Sequence, residues 1–146
     1  LHLEPNAYLS PISLWFDGPK LDFEAINAGL ATIHQTRDFG HLCLTPDKFN
    51  NTLCNIYSSK LKISEDGKQI CFMFSANRFL KSMIRMIVAR LMALGEGRIN
   101  IEEFADSKSN NQMLKFRTMA GPQGLHLSKI VYPYLERDVQ PAFLMR

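Results

Sequence analysis

The sequence predicts one α+β domain in which an antiparallel sheet carries helices packed on one face. Two extended runs, residues 53–63 and 69–75, are separated by a turn signal typical of a hairpin. Residues 22–33 and 77–94 instead repeat apolar side chains at helical spacing. The chain of 146 residues is 46% hydrophobic, which is enough for a buried core. Since no internal repeat or linker interrupts it, residues 1–146 are predicted to form a single domain.

The elements can be justified in chain order. Asp22 stands before the first helix as a capping acid. A short helix is predicted to begin after Thr45 as its cap and to run towards Asn51. The step Asp66-Gly67 predicts the hairpin turn. Gly95 then follows the strongest helical periodicity in the chain and is predicted to end it as a left-handed cap.

The last third of the chain carries weaker signals. Asn100 followed by Glu103 resembles a capping box for a short helix. A further turn of helix is predicted at residues 113–117. Residues 125–132 read as a last strand, which Pro133 stops. The tail after this proline has no clear period.

Composition narrows the classes of function. The longest mainly apolar stretch, residues 79–94, is interrupted by cations, and no charged-then-apolar leader opens the chain. We therefore expect neither a membrane span nor a signal peptide, and a cytoplasmic protein. Cys43, Cys54 and Cys71 are widely spaced, so we predict small buried side chains and no disulfide or zinc site. A net charge of +3 weakly favours an anionic partner. The first residue is Leu, which suggests a removed upstream segment.

Residues 77–94 carry a basic stripe opposite an apolar stripe. On a wheel of about 100° per residue, Arg78, Lys81 and Arg85 gather on one side. No acidic residue occurs from residue 67 to residue 94, although a solvated helix usually intersperses Glu with Lys. Such a stripe is often only the solvated face of a core helix, and this alternative stays open. We expect Arg85, central on the stripe, to need a carboxylate or phosphate partner.

The same segment carries a family resemblance. The run from Ala76 to Val88, followed by Leu91 and Gly95-Glu96-Gly97, resembles the signature helix of the TruA-type tRNA pseudouridine synthases. Further matches, in the same order and spacing, are Leu21-Asp22, Asp38-Phe39, Glu102-Glu103-Phe104, Gly124-Leu125 and Tyr132-Pro133. Arg37 stands where the family usually has His, and Gly121 where Pro is common. The resemblance therefore does not fix the shape of these two loops, although it still indicates the family.

The resemblance implies the C-terminal half of an isomerase that converts uridine to pseudouridine in the tRNA anticodon stem-loop, using one aspartate and neither metal nor cofactor. It implies that Arg85 is the catalytic-site arginine that ion-pairs with this aspartate. By the same resemblance Arg78 and Lys81 meet RNA phosphates, and Asn77 shapes the entrance. The element that carries the aspartate belongs to the other half of the family's proteins and has no match here. We therefore expect the chain to be inactive alone, and its partners to be tRNA, the missing N-terminal half and a second copy in a homodimer.

The other candidate residues favour no different chemistry. Asp38 occupies a matched element, where a structural role in a turn is favoured over catalysis. Trp15 and Phe16 are predicted core aromatics, with RNA stacking as the alternative. The four histidines are scattered, without the spacing of a nucleophile or metal site: His2, His34, His41 and His126. A non-catalytic RNA-binding module of the same fold and an unrelated basic domain with a protein partner stay open as alternatives.

Overall fold

The fold is a β-hairpin covered by helices, seen in a computed structural model that describes residues 1–105 and 119–132. The predicted α+β class with an antiparallel sheet is confirmed. The predicted helical turn at 113–117 and the tail after residue 132 lie outside the described residues. The helices and strands are α1 (Phe23–Gln35), β1 (Ile56–Ile63), β2 (Ile70–Ala76), α2 (Met83–Gly95) and α3 (Ile101–Ala105).

Helix α1 begins where the sequence predicts, because Asp22 caps it. The Asp22 carboxylate accepts hydrogen bonds from the N–H groups of Glu24 at 2.9 Å and Ala25 at 3.0 Å. These two groups have no partner inside the helix, so the cap stabilises its first turn. The predicted apolar stripe is buried, with Ile26 fully enclosed and Ile33 nearly so.

The hairpin is also confirmed. In the antiparallel register Leu61 pairs with Phe72. Gly67 adopts a φ of 71° in the turn, and the Asp66 carboxylate accepts a hydrogen bond from the N–H of Lys68 at 3.0 Å. Hydrogen bonds to the Ser64 hydroxyl and to this N–H lower the pKa of Asp66. The Asp-Gly step therefore makes the turn that its composition predicts.

Helix α1 packs on one face of the hairpin, as predicted. The Ser59 hydroxyl donates to the Leu30 carbonyl at 3.1 Å, and the Ser59 N–H donates to His34 Nε2 at 3.1 Å. Leu61 lies on the same face and packs against the core, whereas the alternating Lys60 is exposed on the other face.

Helix α2 begins at Met83, so the prediction of a helix from residue 77 is wrong. The preceding residues continue the hairpin instead: Asn77 donates its N–H to the Asn55 carbonyl at 3.1 Å, and its side-chain oxygen accepts the Asn55 N–H at 2.8 Å. Ser82 then adopts a left-handed φ of 63°, which a continuous right-handed helix cannot contain. Consequently, the candidate cations that precede this serine do not share a helical face with Arg85.

The left-handed cap of α2 is Gly97, so the prediction that placed it at Gly95 is wrong. Gly97 has a φ of 70° and donates its N–H to the Leu94 carbonyl at 3.0 Å. The Arg98 N–H donates to the Ala93 carbonyl at 2.9 Å. This pair of bonds is the Schellman arrangement, which satisfies carbonyls at a helix C-terminus.

Replacing Gly97 with Ala is expected to lower the free energy of unfolding by about 1 kcal/mol, because a side chain makes the left-handed conformation costly. Chemical denaturation of both proteins measures this difference. Gly97→Asn is the control, since asparagine tolerates the left-handed region and should lose less stability. Equal losses for both variants would contradict the assignment.

Gly95 has a packing role instead. A Cβ added at Gly95 would lie 2.6 Å from Ile26 Cδ1 of helix α1. A Cβ added at Gly29 would lie 2.8 Å from Cδ2 of both Leu91 and Leu94. Since real Cβ atoms do not approach other carbons so closely, the two glycines let α1 and α2 pack in direct contact.

The capping box of α3 is confirmed. Asn100 Oδ1 accepts the N–H of Glu103 at 2.7 Å, and Glu103 Oε2 accepts the N–H of Asn100 at 2.9 Å. The short helix predicted from Thr45 towards Asn51 is reduced to one 3₁₀ turn, Pro46–Lys48, and the predicted cap is wrong, since the Thr45 side chain makes no capping hydrogen bond.

The predicted last strand is wrong within the described part of the chain. Residues 125–132 do not form a strand, and Leu127 and Val131 are 74% and 72% exposed. A strand requires a neighbour for its backbone hydrogen bonds, and in residues 1–105 and 119–132 only β1 and β2 pair as a sheet. The alternation of apolar residues alone therefore does not make this segment a strand.

Two smaller predictions have mixed outcomes. Trp15 is 46% exposed, so the prediction that it belongs to the core is wrong. Its neighbour Phe16 packs against the core, as predicted. Cys43 and Cys54 are buried as predicted, but Cys71 is only half-buried; all three thiols are free. None of the described helices is long and apolar enough to cross a membrane.

Candidate functional site

Arg85 lies in the first turn of α2 and is half-buried. Its Nε donates a hydrogen bond to the Ala120 carbonyl at 2.7 Å, and the Ala120 N–H donates to the Arg85 carbonyl at 3.1 Å. This reciprocal contact fixes the direction of the guanidinium. Its two terminal nitrogens have no partner in the described residues, and they form the planar fork that suits a carboxylate or phosphate.

No carboxylate of residues 1–105 or 119–132 pairs with Arg85. The ion pairs in these ranges join Lys68 to Glu4 at 2.8 Å and Arg98 to Glu96. A half-buried cation gains most from an opposite charge when water is partly excluded. Arg85 is therefore prepared for an anion that the described residues do not supply.

Arg90, a second cation of α2, has a structural role. Its side chain is 9% exposed, and its Nη2 donates to the carbonyls of Glu103 at 2.6 Å and Phe104 at 3.1 Å. The guanidinium also lies 5.6 Å from the centre of the Phe104 ring, within the range of a cation–π contact. Arg90 thus ties α3 to α2.

Arg78 holds the loop of residues 51–55. Its Nε donates to the Leu53 carbonyl at 3.1 Å, and its Nη2 donates to the Asn51 carbonyl at 2.7 Å. Together with the Asn55–Asn77 pair, these contacts shape an open depression of about 410 Å³ lined by Asn51, Leu53, Cys54, Asn55, Asn77 and Arg78.

The structure brings two of the predicted RNA-binding residues together and separates the third. Asn77 and Arg78 share the depression. Lys81 lies outside its lining and is exposed, and its carbonyl accepts the N–H of Leu44 at 3.1 Å. The prediction that these cations and Arg85 form one helical stripe is wrong, because α2 starts after Lys81.

The sequence predicts no role at this place for Arg37 and Asn55. Arg37 Nη1 donates to Asn55 Oδ1 at 2.7 Å, which places a second guanidinium at the edge of the depression. The one signal in the sequence was that Arg37 departs from the residue usual in the resembling family. The concentration of asparagines at positions 50, 51 and 55 carried no recognisable motif.

Asp38 stabilises a turn, which is the role that the sequence favours. Its carboxylate accepts hydrogen bonds from the Thr52 hydroxyl and from the Gly40 N–H, the latter at 2.9 Å. The bond from Thr52 lowers the pKa of Asp38 most, and the bond from Gly40 adds to it. Both bonds favour the ionised carboxylate, which holds residues 38–40 against the 52–54 segment.

The lowered pKa of Asp38 predicts an acid-sensitive loop. A carboxylate with a folded pKa below its ordinary value of 3.8 stabilises the fold above that value, and this stabilisation is lost as the pH falls through the lower folded pKa. Asp38→Asn should therefore reduce the difference in unfolding free energy measured between about pH 7 and about pH 3. The control is Asp47→Asn, an exposed aspartate. The same pH difference in wild type and Asp38→Asn would contradict the role.

The described histidines and acids form no metal site. In residues 1–105 and 119–132 no group of three His, Cys, Asp or Glu side chains is placed to hold an ion. His126 is exposed, and its Nε2 lies 2.9 Å from the Ile12 carbonyl oxygen.

These features define a mixed α/β domain with a polar depression and with an arginine, Arg85, whose terminal nitrogens are unpaired within the described residues. The family model described as tRNA pseudouridine synthase matches residues 36–133. The chain belongs to the tRNA pseudouridine synthase family.

Similarity to individual proteins supports the same family. The chain is similar to the tRNA pseudouridine synthase A of Geobacillus sp., with 34% identity over 116 residues, or 77% of this chain and 44% of that protein. It is 30% identical to the protein of the same name from Gloeobacter violaceus over 131 residues, or 88% of this chain and 42% of the relative. A Picosynechococcus relative is matched over 99% of this chain and 54% of its own length, at 26% identity. The chain thus spans about half the length of these relatives.

Proposed function

We propose that this chain is the C-terminal half of a tRNA pseudouridine synthase that isomerises uridine in the anticodon stem-loop. The reaction breaks the bond between uracil and ribose, turns the base, and rejoins it through carbon. Membership of the family supports the reaction class. The observation that carries the proposal is the half-buried Arg85, whose terminal nitrogens lack a partner in the described residues.

In this proposal Arg85 pairs with the catalytic aspartate, which another polypeptide segment supplies. The bond from Nε to Ala120 directs the terminal nitrogens away from that carbonyl. A carboxylate can then accept two parallel N–H bonds from the fork, which fixes its orientation and keeps it ionised beside the target nucleotide. No step requires a metal or a cofactor.

The proposed RNA contacts are Asn77, Arg78 and Lys81. Lys81 is exposed and can meet a phosphate as a mobile point charge. Arg78 has less freedom, since its Nε and Nη2 bind carbonyls and only Nη1 is available. Asn77 shapes the depression by holding Asn55. The complete protein is proposed to act as a cytoplasmic homodimer.

Tritium release from tRNA tests the reaction, using uridine tritiated on the carbon that becomes the new attachment point. The chain alone should release none, whereas the chain joined to the complementary half of the enzyme should turn over. Turnover by the chain alone would show that the catalytic group lies within it. Binding of tRNA without turnover by the joined protein would favour the non-catalytic RNA-binding module.

A further inference from the structure

In the depression beside the 51–55 loop, the side-chain oxygen of each lining asparagine accepts a hydrogen bond from within the protein. Asn55 Oδ1 accepts from Arg37, and Asn77 Oδ1 accepts from the Asn55 N–H. Asn51 Oδ1 accepts from Arg78 Nη2. The amide nitrogens of these asparagines form no hydrogen bond within residues 1–105 and 119–132, so each keeps its two N–H donors.

Two guanidinium groups add charge to these donors. Arg78 uses Nε and Nη2 for the loop and keeps Nη1, whereas Arg37 uses Nη1 for Asn55 and keeps Nε and Nη2. Hydrogen bonds from some of its nitrogens therefore anchor each guanidinium group. The remaining N–H groups form no hydrogen bond within residues 1–105 and 119–132. Anchoring lowers the entropy lost when a ligand binds.

The carboxylate nearest to Arg37 along the chain does not bind it. The Asp38 carboxylate, next to Arg37, binds Thr52 and Gly40, and neither Arg37 nor Arg78 forms an ion pair with a described carboxylate. A concave surface edged by two anchored guanidinium groups with free N–H groups fits a tetrahedral oxyanion.

We propose that this depression binds one backbone phosphate of the RNA substrate, with Arg37 and Arg78 as its charged donors. The inference rests on the proposed function and adds a subsite to it: Arg37 becomes an RNA contact, and Asn55 positions both Arg37 and the loop. A phosphodiester fits better than a base edge, since a phosphate presents only acceptors to the free N–H groups of the two guanidinium groups, whereas the bases present acceptors and donors together.

Binding of tRNA to the full chain, measured by fluorescence anisotropy from about 50 to 300 mM salt, tests the subsite. Arg37→Gln should weaken binding roughly fivefold at low salt and reduce the slope of log K against log salt by about one unit. The matched control is Arg98→Gln, which removes an arginine paired with Glu96 and should change neither quantity. Equal effects of the two variants would overturn the proposal.

Asn55→Asp separates binding from folding. The aspartate keeps an oxygen that accepts from Arg37, so thermal unfolding should change little, but it replaces a donor by a negative charge. We expect a larger loss of tRNA affinity than for Arg37→Gln. Unchanged affinity in folded Asn55→Asp protein would overturn the subsite.

Two further arms distinguish related outcomes. Titration of the chain with inorganic phosphate alone should show only weak binding. The contrary result would be tight phosphate binding that depends on Arg37 together with tRNA binding that does not. The depression would then be a site for free anions, and the proposal would be overturned. If the wild-type joined enzyme neither binds nor modifies tRNA, the proposed function fails as well. If it does both and Arg37→Gln behaves identically, only the subsite fails.

Discussion

Replacing Arg85 with Ala in the complete enzyme is expected to lower the turnover rate by a factor on the order of 10³ while tRNA affinity changes little. The physical reason is that the proposed partner of Arg85 is an internal carboxylate. Without the guanidinium, this carboxylate loses both its orientation and the charge that keeps it ionised. Single-turnover tritium release with saturating tRNA measures the rate, and anisotropy measures the affinity.

Arg85 also holds the Ala120 carbonyl, so a structural loss must be separated from a chemical one. Arg85→Lys keeps the charge but lacks the two-pronged geometry, and it should recover only part of the rate. Thermal unfolding of each variant reports on the Ala120 contact. A parallel loss of affinity and rate would identify Arg85 as a phosphate contact, and an unchanged rate would exclude it from the active site.

The elements predicted correctly are those specified by neighbouring residues. Asp22 caps α1 through N–H groups two and three residues away, and the α3 capping box closes over three residues. The hairpin turn at Asp66-Gly67 is equally local. Patterns of this range can be read from the sequence where only nearby groups decide them, although the equally local caps predicted at Thr45 and Gly95 are wrong.

The start of α2 was missed for the opposite reason. Helical spacing of apolar residues continues upstream of Met83, but Asn77 pairs with Asn55, which is 22 positions away. The sequence does not reveal that this contact outweighs helix propensity. The last strand was also misjudged, since residues 125–132 show the alternation of a strand without a partner strand in the described part of the chain.

One structural feature of the candidate site can be anticipated from the sequence, whereas the roles of its residues stay predictions. The absence of acids from residue 67 to residue 94 predicts that Arg85 needs a partner from elsewhere, and no described carboxylate meets it. Its contact with Ala120 was not predictable, because 35 positions separate the two residues. The same applies to the depression, whose donors come from three separate segments of the chain.

The contact between α1 and α2 predicts the largest effect on stability. Gly29→Leu should lower the free energy of unfolding by at least about 2 kcal/mol, since overpacking a filled core costs more than leucine gains in helix propensity. The Cβ alone would meet Leu91 and Leu94 at 2.8 Å, and both leucines are nearly fully buried and have little room to move. Chemical denaturation with intrinsic fluorescence measures the change.

Ala28→Leu provides the matched control, because residue 28 is the exposed neighbour of Gly29 on the same helix. Its stability should stay within about 0.5 kcal/mol of the wild type. Since α2 carries Arg85 in its first turn, displacement of α2 by Gly29→Leu should also lower turnover in the joined enzyme, even below the unfolding temperature. Similar stabilities for the two variants would show that the helices can separate without cost, and Arg85 would then lack the rigid support that an oriented ion pair requires.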